Sequence, residues 1–236
     1  MRLDQYLKDN YDIQSRNKAS ELIKAEKIKI DNKIITKPSF DVDENSKIEI
    51  LEEEFFVSRA AYKLKHFLEE LPSLDLKNKE ALDIGSSTGG FTQILLNQNV
   101  KSVVCVDVGS NQLHEKIKND DKISFFENTD IRDYKNKNGF EVVTCDVSFI
   151  SILNIIEDIN RLSNKDIIIL FKPQFEVGTN VKRDKKGVVK DKKAIVKARE
   201  KFIDYTKLLN WELKYSSMSK LQGKDGNEEE LFYFSK

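Results

Sequence analysis

The stretch Ala81-Leu82-Asp83-Ile84-Gly85-Ser86-Ser87-Thr88-Gly89-Gly90-Phe91-Thr92 constrains this chain more than any other. An apolar run carrying one acid, Asp83, enters a Gly/Ser turn and then a helical pattern. Strand, tight turn and helix in that order make the unit of an open α/β sheet, and such sheets hold nucleotide-like ligands beyond the carboxyl ends of their strands. Glycines in the turn let the main chain approach a ligand closely. The spacing also excludes two ligand classes. Gly85 is followed by Gly89 and Gly90, which is not the G-x-G-x-x-G of a dinucleotide site, and no Gly-Lys-Ser/Thr follows as in a P-loop. A ligand without a pyrophosphate is favoured, because Asp83 would repel one but could accept a hydrogen bond from an ammonium or a water.

The remainder of the chain continues this rhythm. Strand patterns fall at 81–84, 103–106, 123–126, 141–145, 167–171, 213–216 and 231–234, and helical patterns at 90–97, 111–118, 150–162 and 191–209. Alternation of this kind predicts an α/β fold with a seven-stranded, mostly parallel sheet. No helix lies between the last two strands, so they should form a hairpin with the final strand antiparallel to the rest. Ser58 is placed to cap a helix from Arg59 to about Leu71, ahead of Pro72.

Residues 1–54 read as a separate small α+β unit. Leu3, Tyr6 and Leu7 have helical spacing, and Ser15 can cap a second helix that buries Ala19, Leu22 and Ile23. Ile28-Lys29-Ile30, the turn Asp31-Asn32 and Ile34-Ile35 give a hairpin, and Ile48-Glu49-Ile50-Leu51 can close the sheet. A short junction at 55–58, without a Gly/Pro/Ser linker, leads into the large domain at 59–236.

The 236 residues include 40 Lys/Arg and 40 Asp/Glu, so net charge is zero, but it is unevenly distributed. Residues 16–37 hold seven Lys/Arg against three Asp/Glu, and residues 182–201 hold ten against three. A neutral chain with basic faces can still meet phosphates. Residues 182–201 follow the fifth strand and could form a mobile basic flap or a solvated charged helix. No apolar run approaches the ~20 residues that span a bilayer. Cys105 and Cys145 end apolar runs and read as buried strand thiols. A reducing, cytoplasmic setting is expected.

Chemistry-bearing residues collect at one edge of the expected sheet. Asp107 ends the second strand, where a carboxylate accepts from ribose hydroxyls, and Asp130 ends the third, within reach of an adenine amino group. Asp146 follows the fourth strand, Lys172 the fifth, and Glu229 begins the last; Lys63 lies on the first turn of the leading helix. Glu230 is an alternative to Glu229.

The loop, the acids and the strand order resemble S-adenosylmethionine-dependent methyltransferases. The Lys63–Asp146–Lys172–Glu229 set resembles ribose 2′-O-methyltransferases of the FtsJ type. The resemblance implies that Asp83, Gly85, Ser86, Ser87, Thr88, Gly89, Gly90, Phe91, Asp107 and Asp130 hold S-adenosylmethionine. Lys172 would take the proton of a ribose hydroxyl, provided burial and the neighbouring Lys63 favour its neutral amine. Lys63 would position the hydroxyl, while Asp146 and Glu229 would orient the lysines. The sulfonium already activates the methyl, so no metal is required.

Arg2-Leu3-Asp4-Gln5-Tyr6-Leu7, Ser15-Arg16-Asn17-Lys18-Ala19-Ser20 and Lys27-Ile28-Lys29-Ile30-Asp31-Asn32-Lys33 resemble an S4 RNA-binding domain. Combined with Ser-Arg-Ala-Ala-Tyr-Lys-Leu, Cys-Asp-Val-Ser-Phe-Ile and Phe-Lys-Pro-Gln-Phe-Glu, the chain resembles the TlyA family end to end. The family implies a cytidine 2′-O-methyltransferase of ribosomal RNA whose modification sensitises ribosomes to capreomycin. The start of the chain, close to the S4 helix, resembles short members that act on 23S RNA of the large subunit. Arg2, Arg16, Lys18, Lys24, Lys29, Lys33, Arg59, Lys182, Arg183 and Lys185 would face RNA. Two other readings stand beside this one: an RNA-binding protein with an inactive transferase domain, and a membrane-active haemolysin, a name the family also carries. The second lacks any membrane-spanning pattern.

Overall fold

The computed structural model describes residues 1–11, 13, 15–43, 46–51 and 56–236. The chain divides into two compact units, Met1–Phe55 and Phe56–Lys236. Residues 52–54, the end of the expected small unit, and Phe55, the first residue of the expected junction, lie outside the described residues.

The first unit begins with helices α1 (Leu3–Asn10) and α2 (Arg16–Lys24). Strands β1 (Ile28–Ile30), β2 (Lys33–Ile34) and β3 (Ile48–Ile50) form an antiparallel sheet in the order β2-β1-β3. As expected, Ser15 caps α2 by accepting from the Lys18 N–H at 3.1 Å. Asp31 and Asn32 both take positive φ, as a two-residue hairpin turn requires. Leu3, Leu7, Ala19, Ile23, Ile28, Ile30 and Val42 make the core.

The second unit begins with α3 (Arg59–Glu69), β4 (Glu80–Ile84), α4 (Gly90–Asn97) and β5 (Ser102–Val106). Next come α5 (Glu115–Lys118), β6 (Ile123–Phe126), β7 (Phe140–Cys145) and α6 (Ile156–Leu162). The chain ends with β8 (Ser163–Phe171), α7 (Pro173–Glu176), α8 (Lys192–Leu208), β9 (Glu212–Met218) and β10 (Glu230–Ser235). The sheet order is β6-β5-β4-β7-β8-β10-β9. Strands β4 to β8 pair in parallel, and β10 is antiparallel to both β8 and β9.

β8 shows why this sheet is covered on both faces. Ile167, Ile169 and Phe171 join one core with Phe202, Phe232 and Phe234, while Ile168 and Leu170 join another with Leu64, Phe67, Phe91 and Ile94. A strand buried on both faces is apolar throughout rather than alternating.

Two expected helices are shorter than their patterns. The 111–118 pattern yields only the single turn α5, capped by His114 accepting from the Lys116 N–H. The 150–162 pattern divides into a 3-10 turn, Ile152–Asn154, and α6. In both, residues that satisfied helical periodicity are used by the loops bordering the cleft. The Lys-rich 182–201 stretch also divides. Its first part is a tight turn with an Arg183–Val189 bridge, and its second part is α8, capped by Asp191.

Candidate active site

The topology determines where the cleft opens. From β4 the chain moves outward through β5 to β6, then returns to place β7 on the other side of β4. This reversal leaves a crevice beyond the carboxyl ends of β4 and β7. Gly85 follows β4 at φ +75°, where a Cβ would lie 2.9 Å from the Asp146 main-chain oxygen after β7. Only glycine lets the two strand ends close so tightly.

Two adjoining clefts lie at this edge. One, of about 380 Å³, is lined by Ile84, Val106, Asp107, Asp130, Ile131 and Val147 among others. The other, of about 1010 Å³, is lined by Ser58, Lys63, Ser86, Lys172, Gln174 and Glu229 among others. Gly85, Ser87, Asp146, Ser148 and Phe149 belong to both.

The four expected reaction-centre residues meet in the larger cleft. Lys172 Nζ is 2.5 Å from Asp146 Oδ1 and donates to Ser148 Oγ at 3.0 Å. Lys63 Nζ donates to Glu229 Oε2 at 2.5 Å, and Gln174 Nε2 donates to Glu229 Oε1 at 3.1 Å. Lys63 and Lys172 are each 8% exposed and Glu229 is 2% exposed. Burial raises the Asp146 carboxyl above its usual range, while Lys172 and then Lys63 pull it down. Register explains how Glu229 arrives there. β10 runs antiparallel to β8 with Glu230 opposite Phe171, so the residue before β10 lies beside the residue after β8. Glu230 instead pairs with Arg199 at 2.7 Å.

The expected cofactor residues fall into two groups. Gly85, Ser87, Asp107 and Asp130 line the smaller cleft, and Ser86, Thr88, Gly90 and Phe91 line the larger one. Asp107 accepts from the Ser87 N–H at 2.8 Å and the Gly109 N–H at 2.7 Å, which holds the loop against β5. Arg132 holds Asp130 through three hydrogen bonds, two from its guanidinium and one from its main-chain N–H.

Asp83 and Gly89 differ from the expectation, because neither lines a cleft. Asp83 is 0% exposed and lies behind the loop, accepting from Thr92 at 2.6 Å and Thr144 at 2.8 Å. Burial pushes its carboxyl up to about 6. Since the Thr92 hydrogen goes to Asp83, the Cys105 thiol donates to Thr92 Oγ1 at 3.1 Å. Burial pushes that thiol up to about 12, so it stays protonated. Gly89, at φ +88°, begins α4 where a Cβ would strike Leu113 and Ile117.

Among the expected RNA-facing residues, Lys18, Lys24, Lys33, Lys182 and Lys185 are exposed. Lys29 is 3.9 Å from Glu49. Arg2 and Arg16 both pair with buried Asp4, at 2.8 and 3.1 Å. The Arg2 hydrogen bonds hold Asp4 down to about 2. Arg59 stands at the rim of the larger cleft and donates to the Gln222 oxygen. Arg183 corrects the reading of a free basic contact. Its guanidinium donates to the main-chain oxygens of Gln174, Gly178, Thr179 and Val181, which ties the following turn to the site.

Sequence reading missed Ser58, Ser148, Phe149 and Gln174 as site residues. Ser58 does not cap α3 with its side chain. Its Oγ is buried without a partner, as is Ser86 Oγ, and both residues line the larger cleft. Phe149 is 92% exposed at φ +67°, with its ring 5.3 Å from Phe175. A large exposed apolar residue in left-handed backbone is uncommon and points to use rather than packing. For Ser148, Phe149 and Gln174 the signal available was closeness in sequence to Asp146 or Lys172, which is weak evidence without a fold.

Comparison with known proteins agrees with this geometry. A family model described as FtsJ-like methyltransferase matches residues 56–236. The chain belongs to the FtsJ-like methyltransferase family. An S4 domain model matches residues 1–48 of this methyltransferase. It is 46% identical to a 23S rRNA (cytidine-2′-O)-methyltransferase of Campylobacter jejuni, with 100% of each chain covered. It is 34% identical to a protein named hemolysin A of Brachyspira hyodysenteriae, covering 99% of each. The solved structure of a protein described as a hemolysin from Streptococcus thermophilus aligns with TM-score 0.71 and 28% identity, over 100% of this chain and 88% of that one. Among the described residues, no helix is long and apolar enough to cross a membrane.

Proposed function

We propose that this methyltransferase moves a methyl group from S-adenosylmethionine to the ribose 2′-hydroxyl of a cytidine in ribosomal RNA, acting on 23S RNA of the large subunit. The meeting of Lys63, Asp146, Lys172 and Glu229 in one cleft carries the proposal. The smaller cleft fits a nucleoside: apolar Ile84, Val106, Ile131 and Val147 form its walls, with Asp107 and Asp130 at hydroxyl and amine positions. The unpartnered hydroxyls of Ser58 and Ser86, near the N-termini of α3 and α4, fit the amino-acid end of the cofactor. When bound, the cofactor supplies an electrophilic methyl on a sulfonium.

The residues of the chain do the rest. Lys172 Nζ, held by Asp146 and Ser148, takes the 2′-hydroxyl proton in its neutral form. Lys63, anchored by Glu229, donates to the same oxygen and holds it in line. Phe149 offers a flat apolar face beside Lys172 on which a base can stack. Residues 1–54 serve as an RNA-binding domain, joined through 55–58 to the catalytic domain at 59–236. Its Arg2 and Arg16 keep half of their surface while paired with Asp4, so they can still meet phosphates. The protein works where ribosomes are assembled, in the cytoplasm.

The test is transfer of labelled methyl to 23S RNA, 16S RNA and the two subunits, with Lys172→Ala as control. Label in 23S RNA that disappears in the variant supports the reading. Cofactor binding without transfer to any RNA form overturns it.

A further inference from the structure

An RNA strand presents few hydrogen-bond donors. Its phosphates only accept, so inside the chain the donors are the 2′-hydroxyl and the N–H groups of the bases. A buried acceptor in the substrate cleft therefore has a restricted set of partners, and Gln174 supplies one.

Four buried side-chain polar atoms among the described residues lack a hydrogen-bond partner: Ser58 Oγ, Ser86 Oγ, Asp146 Oδ1 and Gln174 Oε1. All four residues line the larger cleft. The two hydroxyls can either donate or accept, and Asp146 Oδ1 has Lys172 Nζ at 2.5 Å. Gln174 Oε1 remains as an acceptor with no donor. Its orientation is set by its neighbour. A carboxylate only accepts, so the Gln174 amide must turn its NH₂ toward Glu229 Oε1, 3.1 Å away. Glu229 is itself held by Lys63 on its other oxygen. The main chain is anchored as well, by Pro173 before it and by Arg183 Nη2 donating to the Gln174 oxygen at 2.9 Å. The amide cannot flip without placing oxygen against carboxylate.

We infer that Gln174 is a specificity-determining residue: its Oε1 accepts a hydrogen from the exocyclic amine of the target cytosine. The inference rests on the cytidine reading above, and the 2′-hydroxyl is not the partner because its single proton goes to Lys172. Cytosine carries an amino donor at the position where uracil carries a carbonyl acceptor. An amide locked with its oxygen turned away from Glu229 bonds the first and repels the second. Adenine also offers an amine but on a larger ring, so the pyrimidine pair isolates the amine itself.

The experiment compares kcat/KM on two 23S RNA transcripts, with cytidine or uridine at the methylated position. Wild-type enzyme favours cytidine by about tenfold or more, as expected where a site is built to bond a polar group. Gln174→Met, which keeps length and loses both the acceptor and the donor to Glu229, slows both transcripts but the cytidine one more, so the ratio falls toward one. A third transcript, with the amine replaced by hydrogen, tests the same contact in wild-type enzyme even if the variant fails to fold. It should be slowed about as much as uridine. An unchanged ratio in Gln174→Met, or full activity on the transcript lacking the amine, overturns the inference while leaving the methyltransferase reading intact. Wild-type enzyme that methylates no transcript overturns that reading itself.

Discussion

Lys63 Nζ and Glu229 Oε2 lie 2.5 Å apart although 166 residues separate them in the chain. One topological feature produces the contact. The last strand enters between β8 and β9 and runs backward, which brings its start to the edge where the parallel strands end. Neighbouring Glu230 points to the opposite face and bonds Arg199. The two glutamates should therefore respond differently to substitution. Glu229→Gln should lower methyl transfer by about tenfold or more, the scale of a lost charged contact at a reacting centre. Glu230→Ala should keep transfer near wild type and cost about 1 kcal/mol of stability for a partly buried pair. Single-turnover transfer and urea melts on both variants decide the matter. Equal activity losses would contradict the assignment.

Lys172→Ala should reduce transfer by about 10²–10⁴-fold, the usual contribution of a positioned base. Cofactor affinity should change little, because Lys172 faces the larger cleft rather than the nucleoside walls. Equilibrium binding of labelled cofactor beside the rate measurement separates the two effects.

Gly85→Ala should impair both the loop and the reaction centre. The new methyl would meet main chain at Asp146, which cannot rotate away, and φ +75° is unfavourable for alanine. About 1–3 kcal/mol of stability should be lost, together with cofactor affinity. Wild-type affinity in this variant would show that the loop does not border the cofactor.

Asp83 makes stability depend on pH in an identifiable direction. Its folded-state value of about 6 lies above the ordinary 3.8, so between those limits the folded state binds more protons than the unfolded one. Its contribution to stability is therefore highest below about pH 4, falls as pH rises through 6, and stays low above that. The difference is about 3 kcal/mol at ~1.4 kcal/mol per unit. Asp83→Asn should remove this slope, so its stability relative to wild type should improve from pH 4 to pH 7. Parallel stability curves for the two proteins would disprove the assignment. Asp4, held down by Arg2 and Arg16, acts in the opposite sense below pH 4 and is common to both proteins.

Glu176 accepts from the Ser151 hydroxyl at 2.6 Å and the Ile152 N–H at 2.9 Å. These bonds fasten the segment after Phe149 to the helix after Lys172. Glu176→Ala should lower kcat more than it raises KM, since Asp146 and Ser148 would lose their register with Lys172. Glu176→Gln, which can still accept from the Ile152 N–H, should recover most of the loss. If the two variants behave alike, the clasp does not position the site.

Much of this protein was readable from local pattern alone. The strand–turn–helix at Asp83–Thr92, the antiparallel last strand and the small N-terminal unit all follow from periodicity and turn chemistry over a few residues. Asp146 and Lys172 could be placed at one edge because every parallel strand ends there. Other features depended on which way a side chain turns, and adjacent strands and register decide that. Tertiary packing buried Asp83 behind its loop, because its position on β4 faces α4 rather than the crevice. It chose Glu229 over Glu230 through the register with β8, since consecutive residues on a strand point to opposite faces. It used Arg183 to hold main-chain carbonyls of a turn, where sequence shows only a basic residue among others. It left Ser58 and Gln174 with unanswered polar atoms in the cleft. Local periodicity specifies the elements, because backbone geometry repeats over a few residues. The unmet hydrogen bonds that mark a site exist only after distant segments have excluded water from around them.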